Sequence, residues 1–272
     1  MVIISAASIV YNERFYLPML LEGTNEWCDE HVIIDGFSTD GTWEYLQEQA
    51  KKNPKLKIAQ HAGANGATPD AHNFGDAWQA AYAMCIGDWI FRIDADEALQ
   101  DNARIMLEAA TQQGIDVYEV RYEHFIENFS KVDAAEPIHM GAFRFHKNFP
   151  GKISMDHKRN HCIPKSDEFK IMGRLFYPII FHCGYLNGMP KIFERYERNV
   201  KHSVIHDTLY SQMWREWHYC GRYPTKPFIE IENPANIVIK IPRAIINRFH
   251  IGYLRDVTFL NNEGKVVVKG EI

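Results

Sequence analysis

Apolar and polar positions alternate through the first hundred residues in blocks of two kinds. "VIISAASIV" (2–10) is a short, nearly continuous apolar run, the pattern of a strand covered on both faces. Residues 14–24 then place Phe15, Leu17, Leu20 and Leu21 on one face of a helix. "HVIID" (31–35) reads as a second strand. "STDGT" (38–42) opens a helix to about Lys52, because Ser, Thr and Asp offer side-chain acceptors to the unpaired N–H groups of a first turn. "KLKIAQ" (55–60) is a third strand. From Asp70 to Ile86, Phe74, Trp78, Ala81 and Cys85 recur at helical spacing, with Gly87 as the expected C-terminal cap. "DWIFRID" (88–94) is a fourth strand. Three rounds of strand and helix predict a parallel α/β sheet.

After residue 100 the order changes. A helix near 101–112 precedes "DVYEVRYEHF" (116–125) and "HMGAFRFHK" (139–147), which read as half-exposed antiparallel strands. From about 190 the chain reads as helical and aromatic-rich. "YPTKPFIEIENP" (223–234) is a Pro-rich link, and "NNEG" (261–264) is placed to turn a closing hairpin. The expected domains are residues 1–200, split into 1–100 and 101–200, with an extension over 201–272. There is no internal repeat.

Composition narrows the partners. The chain has 272 residues, 46% hydrophobic and 13% aromatic, enough to bury a sizeable core. A formal net charge of -5 supplies no basic footprint for nucleic acid. Cys28, Cys85, Cys162, Cys183 and Cys220 are odd in number and show no CxxC pair, so reduced thiols and a cytoplasmic setting are expected. The N-terminus lacks the basic region and cleavage site of a signal peptide, and no apolar run approaches the roughly 20 residues of a membrane span. At most, "SQMWREWHYCGRYP" (211–224) touches a membrane surface, lines an acceptor groove, or packs a helix onto the main body.

The candidate chemistry falls at strand ends. In open parallel sheets, ligands bind beyond the carboxyl ends of the strands. "YNE" (Tyr11–Glu13) follows the first strand, Asp35 the second, and "DADE" (94–97) the fourth. In an extended segment Asp94 and Asp96 share a side while Ala95 turns away. Two such carboxylates call for a hard divalent cation, Mg²⁺ or Mn²⁺, with a bound phosphate. The plainer alternative is that "DADEALQDNARIMLEAA" is a charged helix start. "HKRNH" (157–161) spaces two histidines for one helix face but lacks the glutamate of HExxH, so it makes no metalloprotease.

"SIVYNE", "VIIDGFSTDGT", "HNFGDAWQAAYAMCIGDWIFRIDADE" and "FHCGYL", in that order over roughly residues 2–200, resemble the family-2 glycosyltransferases of the GT-A fold. The resemblance implies an α/β, Rossmann-like mixed sheet with helices on both faces and a C-terminal helical and hairpin extension. It implies metal-dependent, inverting transfer of a sugar from a nucleotide-sugar donor (a UDP- or GDP-sugar) to a glycan or glycolipid acceptor. Within that likeness Tyr11 stands against the nucleobase, and Glu13 belongs to the same loop. Asp35 reads the base or ribose, and Asp40 lies beneath it. Asp94 faces the ribose and metal, Asp96 ligates the metal, and His182 completes its shell.

One position departs from the pattern. His72 stands where many relatives carry Arg, so phosphate neutralisation shifts toward the metal, Arg92 or a lysine. An inverting transfer also needs a carboxylate base. Asp156 in "GKISMDHKRNH" is the first candidate, with Glu123 and Glu127 after it. Two readings compete: a sugar-nucleotide nucleotidyltransferase, which would carry a Gly-rich loop where "SIVYNER" stands, and a non-catalytic nucleotide- or sugar-binding protein.

Overall fold

A computed structural model describes residues 1–65, 71–126, 128–133, 139–156, 163–186, 225–232, 238–249, 258–260 and 266–268, with the side chains of 71–73, 139–142, 156, 225–227, 229–232, 238–239, 258–260 and 266–268 outside the description. Its first half alternates as the sequence predicts. Strand β1 (Ile4–Val10), helix α1 (Leu17–Trp27), β2 (Glu30–Asp35), α2 (Thr42–Lys52), β3 (Leu56–Gln60), α3 (Ala71–Met84) and β4 (Trp89–Arg92) follow in turn. Strands β1–β4 are mutually parallel in the order β4-β1-β2-β3, so β1 lies between β2 and β4.

Side-chain alternation explains the layering. Ile4, Ala6 and Val10 of β1 pack with Leu17 and Leu20 of α1 and Leu46 of α2 on one face. Ala7 and Ile9 pack with Ala77, Trp78 and Ala81 of α3 on the other. Helices therefore cover both faces, as expected. The two hydroxyls inside β1 are satisfied internally. Ser8 Oγ lies 2.9 Å from His31 Nε2, whose Nδ1 lies 3.0 Å from Thr24 Oγ1, and Ser5 donates to Glu30.

The second half turns the sheet mixed. β5 (Glu97–Leu99), α4 (Ala103–Thr111), β6 (Val117–Ile126), β7 (Asn128–Asp133), β8 (His139–Lys147), β9 (Ser154–Asp156), β10 (Ile163–Lys165) and β11 (Met172–His182) follow. β8 bridges β4 and β6, antiparallel to both, while β11 runs parallel to β6 and antiparallel to β5. The half-exposed character expected of β6 is not found. Val117, Tyr118, Val120, Tyr122, Phe125 and Ile126 are all buried, because β6 is an interior strand.

Two further expectations are corrected. The Pro-rich link contains β12 (Thr225–Pro227), which pairs with β7, and β13 (Ile229–Glu232). Pro227 is tolerated there because β12 is an edge strand of the ten-stranded sheet found among the described residues. Gly87 serves close approach rather than a helix cap: a Cβ would fall 2.5 Å from Ser5 Oγ and 2.8 Å from Ser5 N.

Towards the C-terminus come β14 (Val238–Ile239), helix α5 (Arg243–Phe249), β15 (Thr258–Leu260) and β16 (Val266–Val268). β15 and β16 pair antiparallel, as the hairpin reading requires, and "NNEG" itself lies outside the described residues. So do the expected helical stretch after 190 and the aromatic segment 211–224. Among the described residues, no helix is long and apolar enough to cross a membrane. Cys28, Cys85 and Cys183 are buried free thiols.

Candidate functional site

Because β1 lies between β2 and β4, the three carboxyl ends sit side by side, and the predicted groups collect there. The loop after β1 is stapled to the loop after β2. Asn12 N–H donates to Ser38 Oγ (2.8 Å), Thr39 N–H to Asn12 Oδ1 (2.8 Å), and Glu13 N–H to Thr42 Oγ1 (3.0 Å). Asp40 accepts from Arg14 N–H and Thr42 N–H, each at 3.0 Å. Partial burial pushes its carboxyl upward, but the bonds from Thr42 and Arg14 outweigh this and hold it below the usual range. Asp40 is thus the tie between the loops. Tyr11 is half-buried within them.

Asp35, the last residue of β2, is fully buried. Its Oδ2 accepts from Ser38 N–H (3.1 Å) and the Gln60 amide (2.9 Å), while Oδ1 is buried with no hydrogen-bond partner among the described residues. Gly36 follows for a steric reason: a Cβ would lie 2.6 Å from Asn65 N. Phe37, next in line, is 54% exposed at a φ of 62°, an aromatic held out at the mouth of this loop.

The acidic cluster differs from the extended geometry expected of it. β4 ends at Arg92, and residues 94–97 form a turn in which Glu97 N–H donates to Asp94 C=O (3.2 Å). Ala95 does turn away, into the core. The two aspartates then face different neighbours. Asp94 Oδ2 accepts from Arg144 Nη2 of β8 at 3.0 Å. Asp96 Oδ2 lies 3.3 Å from His182 Nε2 at the end of β11, and Asp96 C=O accepts from Cys183 N–H at 2.8 Å.

Glu97 ties the two sides together from beneath. It is buried, and its carboxylate accepts from Asp94 N–H (2.8 Å), Tyr122 OH (2.8 Å) and Arg144 Nη2 (3.0 Å). Burial pushes the Glu97 carboxyl up, against the pull of Arg144. Burial also opposes the charge on Arg144, yet Asp94 and Glu97 hold the guanidinium protonated, well above its ordinary range. Breaking such a buried set by removing one partner costs about 3–5 kcal/mol.

Gly184 makes room between Asp96 and His182. A Cβ there would lie 2.4 Å from Asp96 Oδ2 and 2.8 Å from His182 Nε2. A carboxylate and an imidazole nitrogen facing each other across such a cradle fit a divalent cation that takes its remaining ligands from phosphate and water. Among the described residues there is no ready-made set of three acidic, His or Cys ligands. The structure brings Asp96 and His182 together and gives Asp94 to Arg144.

Other candidates stand elsewhere or outside the description. Arg92, expected near phosphate, is buried with its guanidinium 4.1 Å over the Trp78 ring. His72 lies in the first turn of α3 and Asp156 ends β9, but both side chains fall outside the described set, as does Glu127. Glu123 is buried and paired with Arg121. Sequence reasoning missed Arg144, Tyr122 and Gly184. The alternation of "GAFRFHK" marks Arg144 as a polar residue within a strand, but only the β4–β8 pairing shows what it meets.

Comparison with known proteins gives the family of the chain. The family model described as glycosyl transferase family 2 matches residues 5–192. The undecaprenyl-phosphate 4-deoxy-4-formamido-L-arabinose transferase of Pseudomonas savastanoi pv. phaseolicola is 32% identical over 116 residues, 40% of this chain and 32% of that protein. The lipopolysaccharide core biosynthesis glycosyltransferase LpsC of Rhizobium meliloti is 32% identical over 104 residues, 38% of this chain and 35% of that one. The aligned parts thus span about a third of these curated relatives. Among solved structures, the mannosyltransferase PcManGT from Pyrobaculum calidifontis, in complex with GDP-Man and Mn²⁺, overlays at a TM-score of 0.48 with 14% identity, covering 79% of this chain and 69% of that chain. S. aureus TarS overlays at 0.48 with 14% identity, covering 80% and 43%. With the family model matching well over half of its residues, the chain belongs to glycosyl transferase family 2.

Proposed function

We propose that the protein transfers a sugar from a nucleotide-sugar donor to a hydroxyl of a glycan or glycolipid acceptor, with inversion and with a divalent ion as cofactor. The observation that carries this reading is the convergence of Asp35, Asp94 and Asp96 at the carboxyl edge of β2 and β4, with His182 facing Asp96. Asp35 Oδ1, a buried acceptor with no partner among the described residues, suits an N–H of a nucleobase or a ribose hydroxyl. Tyr11 and Glu13 border that position, Asp40 fixes their loop, and His72 contributes toward phosphate from the start of α3.

Asp96 and His182 would hold the ion, with Asp94 beside them. An Mn²⁺ or Mg²⁺ bound there supplies positive charge against the departing nucleoside diphosphate. The chain's own residues bind the base, hold the carboxylates and accept the acceptor's proton. In the transfer an acceptor oxygen bonds to the anomeric carbon as the bond to the diphosphate breaks. The hydroxyl proton passes to a carboxylate, assigned in this reading to Asp156. Residues 1–100 form the donor half and 101–200 the acceptor half, with 201–272 as an extension, in a cytoplasmic enzyme.

A thermal-shift panel of UDP, GDP and their sugars, with and without Mn²⁺, tests the reading. A shift selective for one base and enlarged by Mn²⁺ is the expected result. No shift with any nucleotide overturns the proposal; a shift that ignores the metal removes only the metal from it.

A further inference from the structure

The loop between β1 and α1, which holds Tyr11 and Glu13, is gripped from two sides. On the α2 side Asn12, Glu13 and Arg14 bond Ser38, Thr39, Thr42 and Asp40, and the Arg14 guanidinium lies 3.9 Å over the Tyr45 ring of α2. On the other side stands α5, which lies past residue 192, where the family match ends. Arg248 Nε donates to the Phe15 carbonyl, and its guanidinium lies 3.9 Å over the Phe15 ring. The Phe249 ring is 5.6 Å from that of Phe15 and 6.3 Å from that of Tyr16. Asn247 bonds the Glu22 carboxylate of α1, and Arg243 N–H donates to Asp101 Oδ1 at 3.1 Å. Ala244 and Ile245, both buried, root the helix that carries these groups.

The loop needs such a grip. Asn12 stands at a φ of 56°, a left-handed conformation that a residue with a Cβ does not choose unaided, so its neighbours must hold it. The bonds on the α2 side fix residues 12–14. Past them, Tyr16 N–H and Leu17 N–H both return to the Glu13 carbonyl (3.0 and 3.1 Å), and Arg248 takes the Phe15 carbonyl within that turn. An arginine suits the place, because its planar guanidinium can stack on a ring while donating in its own plane. We propose that Arg248 is a positioning residue for the donor: from the C-terminal helix it clasps the β1–α1 turn and keeps Tyr11 and Glu13 in the nucleotide-binding arrangement. The proposal rests on the nucleotide-sugar reading given above. Without the clasp the loop spends less time in that arrangement, and the apparent affinity falls in proportion to the competent fraction.

Calorimetric titration of the full chain with UDP and, separately, GDP, beside hydrogen exchange of the 11–16 amides, tests this without turnover. Arg248→Met keeps an unbranched stem and removes the guanidinium. It is expected to raise the nucleotide Kd about three- to tenfold and to speed exchange in the loop, while the melting temperature drops by only a few degrees. Arg248→Lys keeps the charge without the planar stack and is expected to stay weakened. The loss persists at about 0.5 M NaCl, where attraction between exposed charges is screened. Leu107→Ala, a cut into the core at α4, is expected to lower the melting temperature at least as much yet leave the Kd within about twofold. An Arg248→Met chain that folds with Kd and loop exchange unchanged overturns the proposal. So does full recovery by Arg248→Lys with a loss that vanishes in salt, which assigns the arginine to direct attraction of the nucleotide. If Arg248→Met does not fold, Arg248→Lys decides alone. A wild-type chain that binds neither nucleotide overturns the donor reading and this proposal with it, whereas equal binding by wild type and variants overturns this proposal only.

Discussion

Gly184 shows how much of a site a missing side chain can decide. It follows His182 and Cys183 at the end of β11, and a methyl group on it would overlap Asp96 Oδ2 at 2.4 Å. Neither partner can retreat cheaply. Asp96 is anchored through its carbonyl by Cys183 N–H, and His182 is buried and packed edge-on against His124 with ring centroids 4.8 Å apart. Gly184→Ala is therefore expected to open the Asp96–His182 pair by a few tenths of an ångström to an ångström. Mn²⁺ affinity falls about tenfold or more. The melting temperature moves by only a few degrees, since the new methyl burdens a turn rather than the core. Calorimetric Mn²⁺ titration beside a melting curve checks both halves, and unchanged affinity would refute the cradle.

The motifs themselves were legible at this scale. His182 was named through the family likeness of "FHCGYL", while Asp35, Asp94 and Asp96 could be placed at strand ends from the chain itself. Arg144 could not. It lies 50 residues from Asp94 in sequence, and only the antiparallel pairing of β8 with β4 brings them within 3.0 Å.

At the scale of elements, helix α5 carries the lesson. It lies beyond the first 186 residues, yet Ala244 and Ile245 are buried against Met19 of α1, Phe125 of β6 and Phe181 of β11. Phe228, just after β12, joins the same cluster, with its ring 5.3 Å from Phe125. The segment is thus part of the core under the β6–β11 pair that carries His182. Ile245→Ala removes a fully buried side chain and is expected to cost about 2–4 kcal/mol. The urea midpoint reads that loss, and a change under 0.5 kcal/mol would mean the helix is not docked as described.

A Pro-rich stretch reads as a link because turn residues outweigh four or five apolar positions in a short window. The strands there are three and four residues long, and the second pairs with β14 and β15. Such elements have almost no periodicity of their own. The β1–β4 alternation was readable for the opposite reason: its three helices run 11, 11 and 14 residues, and β1 and β2 are buried along their whole length.

At the scale of the whole molecule, the buried histidines set the pH range of the fold. His31 sits between Ser8 and Thr24, and burial lowers its pKa from 6.5 to about 3. His146, with its Nδ1 2.9 Å from the Lys147 carbonyl, is lowered to about 4, again chiefly by burial. Both are neutral when folded, whereas the unfolded chain binds a proton at each below about pH 6.5. Their contribution is complete above that value. It is lost as pH falls toward the folded values, at up to about 1.4 kcal/mol per pH unit for each histidine. Carboxylates held below their usual range, such as Asp116 and Glu30, extend the same trend further into acid. Urea midpoints should stay level from pH 8 to 7 and fall steeply between pH 6 and 5. A level profile across that lower interval would contradict the buried, neutral histidines.

The sequence alone determined the parallel α/β half, the strand-end placement of Asp35 and the "DAD" pair, and the family likeness. Each of these is local: apolar periodicity, turn chemistry and short motifs are properties of ten or twenty neighbouring residues. Only the tertiary structure decided that Asp94 and Asp96 face different partners, that Glu97 ties the turn from beneath, and that a C-terminal helix completes the core under His182. Those outcomes depend on which strands pair and in what register. Pairing is set by burying whole faces of distant elements against one another, a choice that no short window of the chain contains.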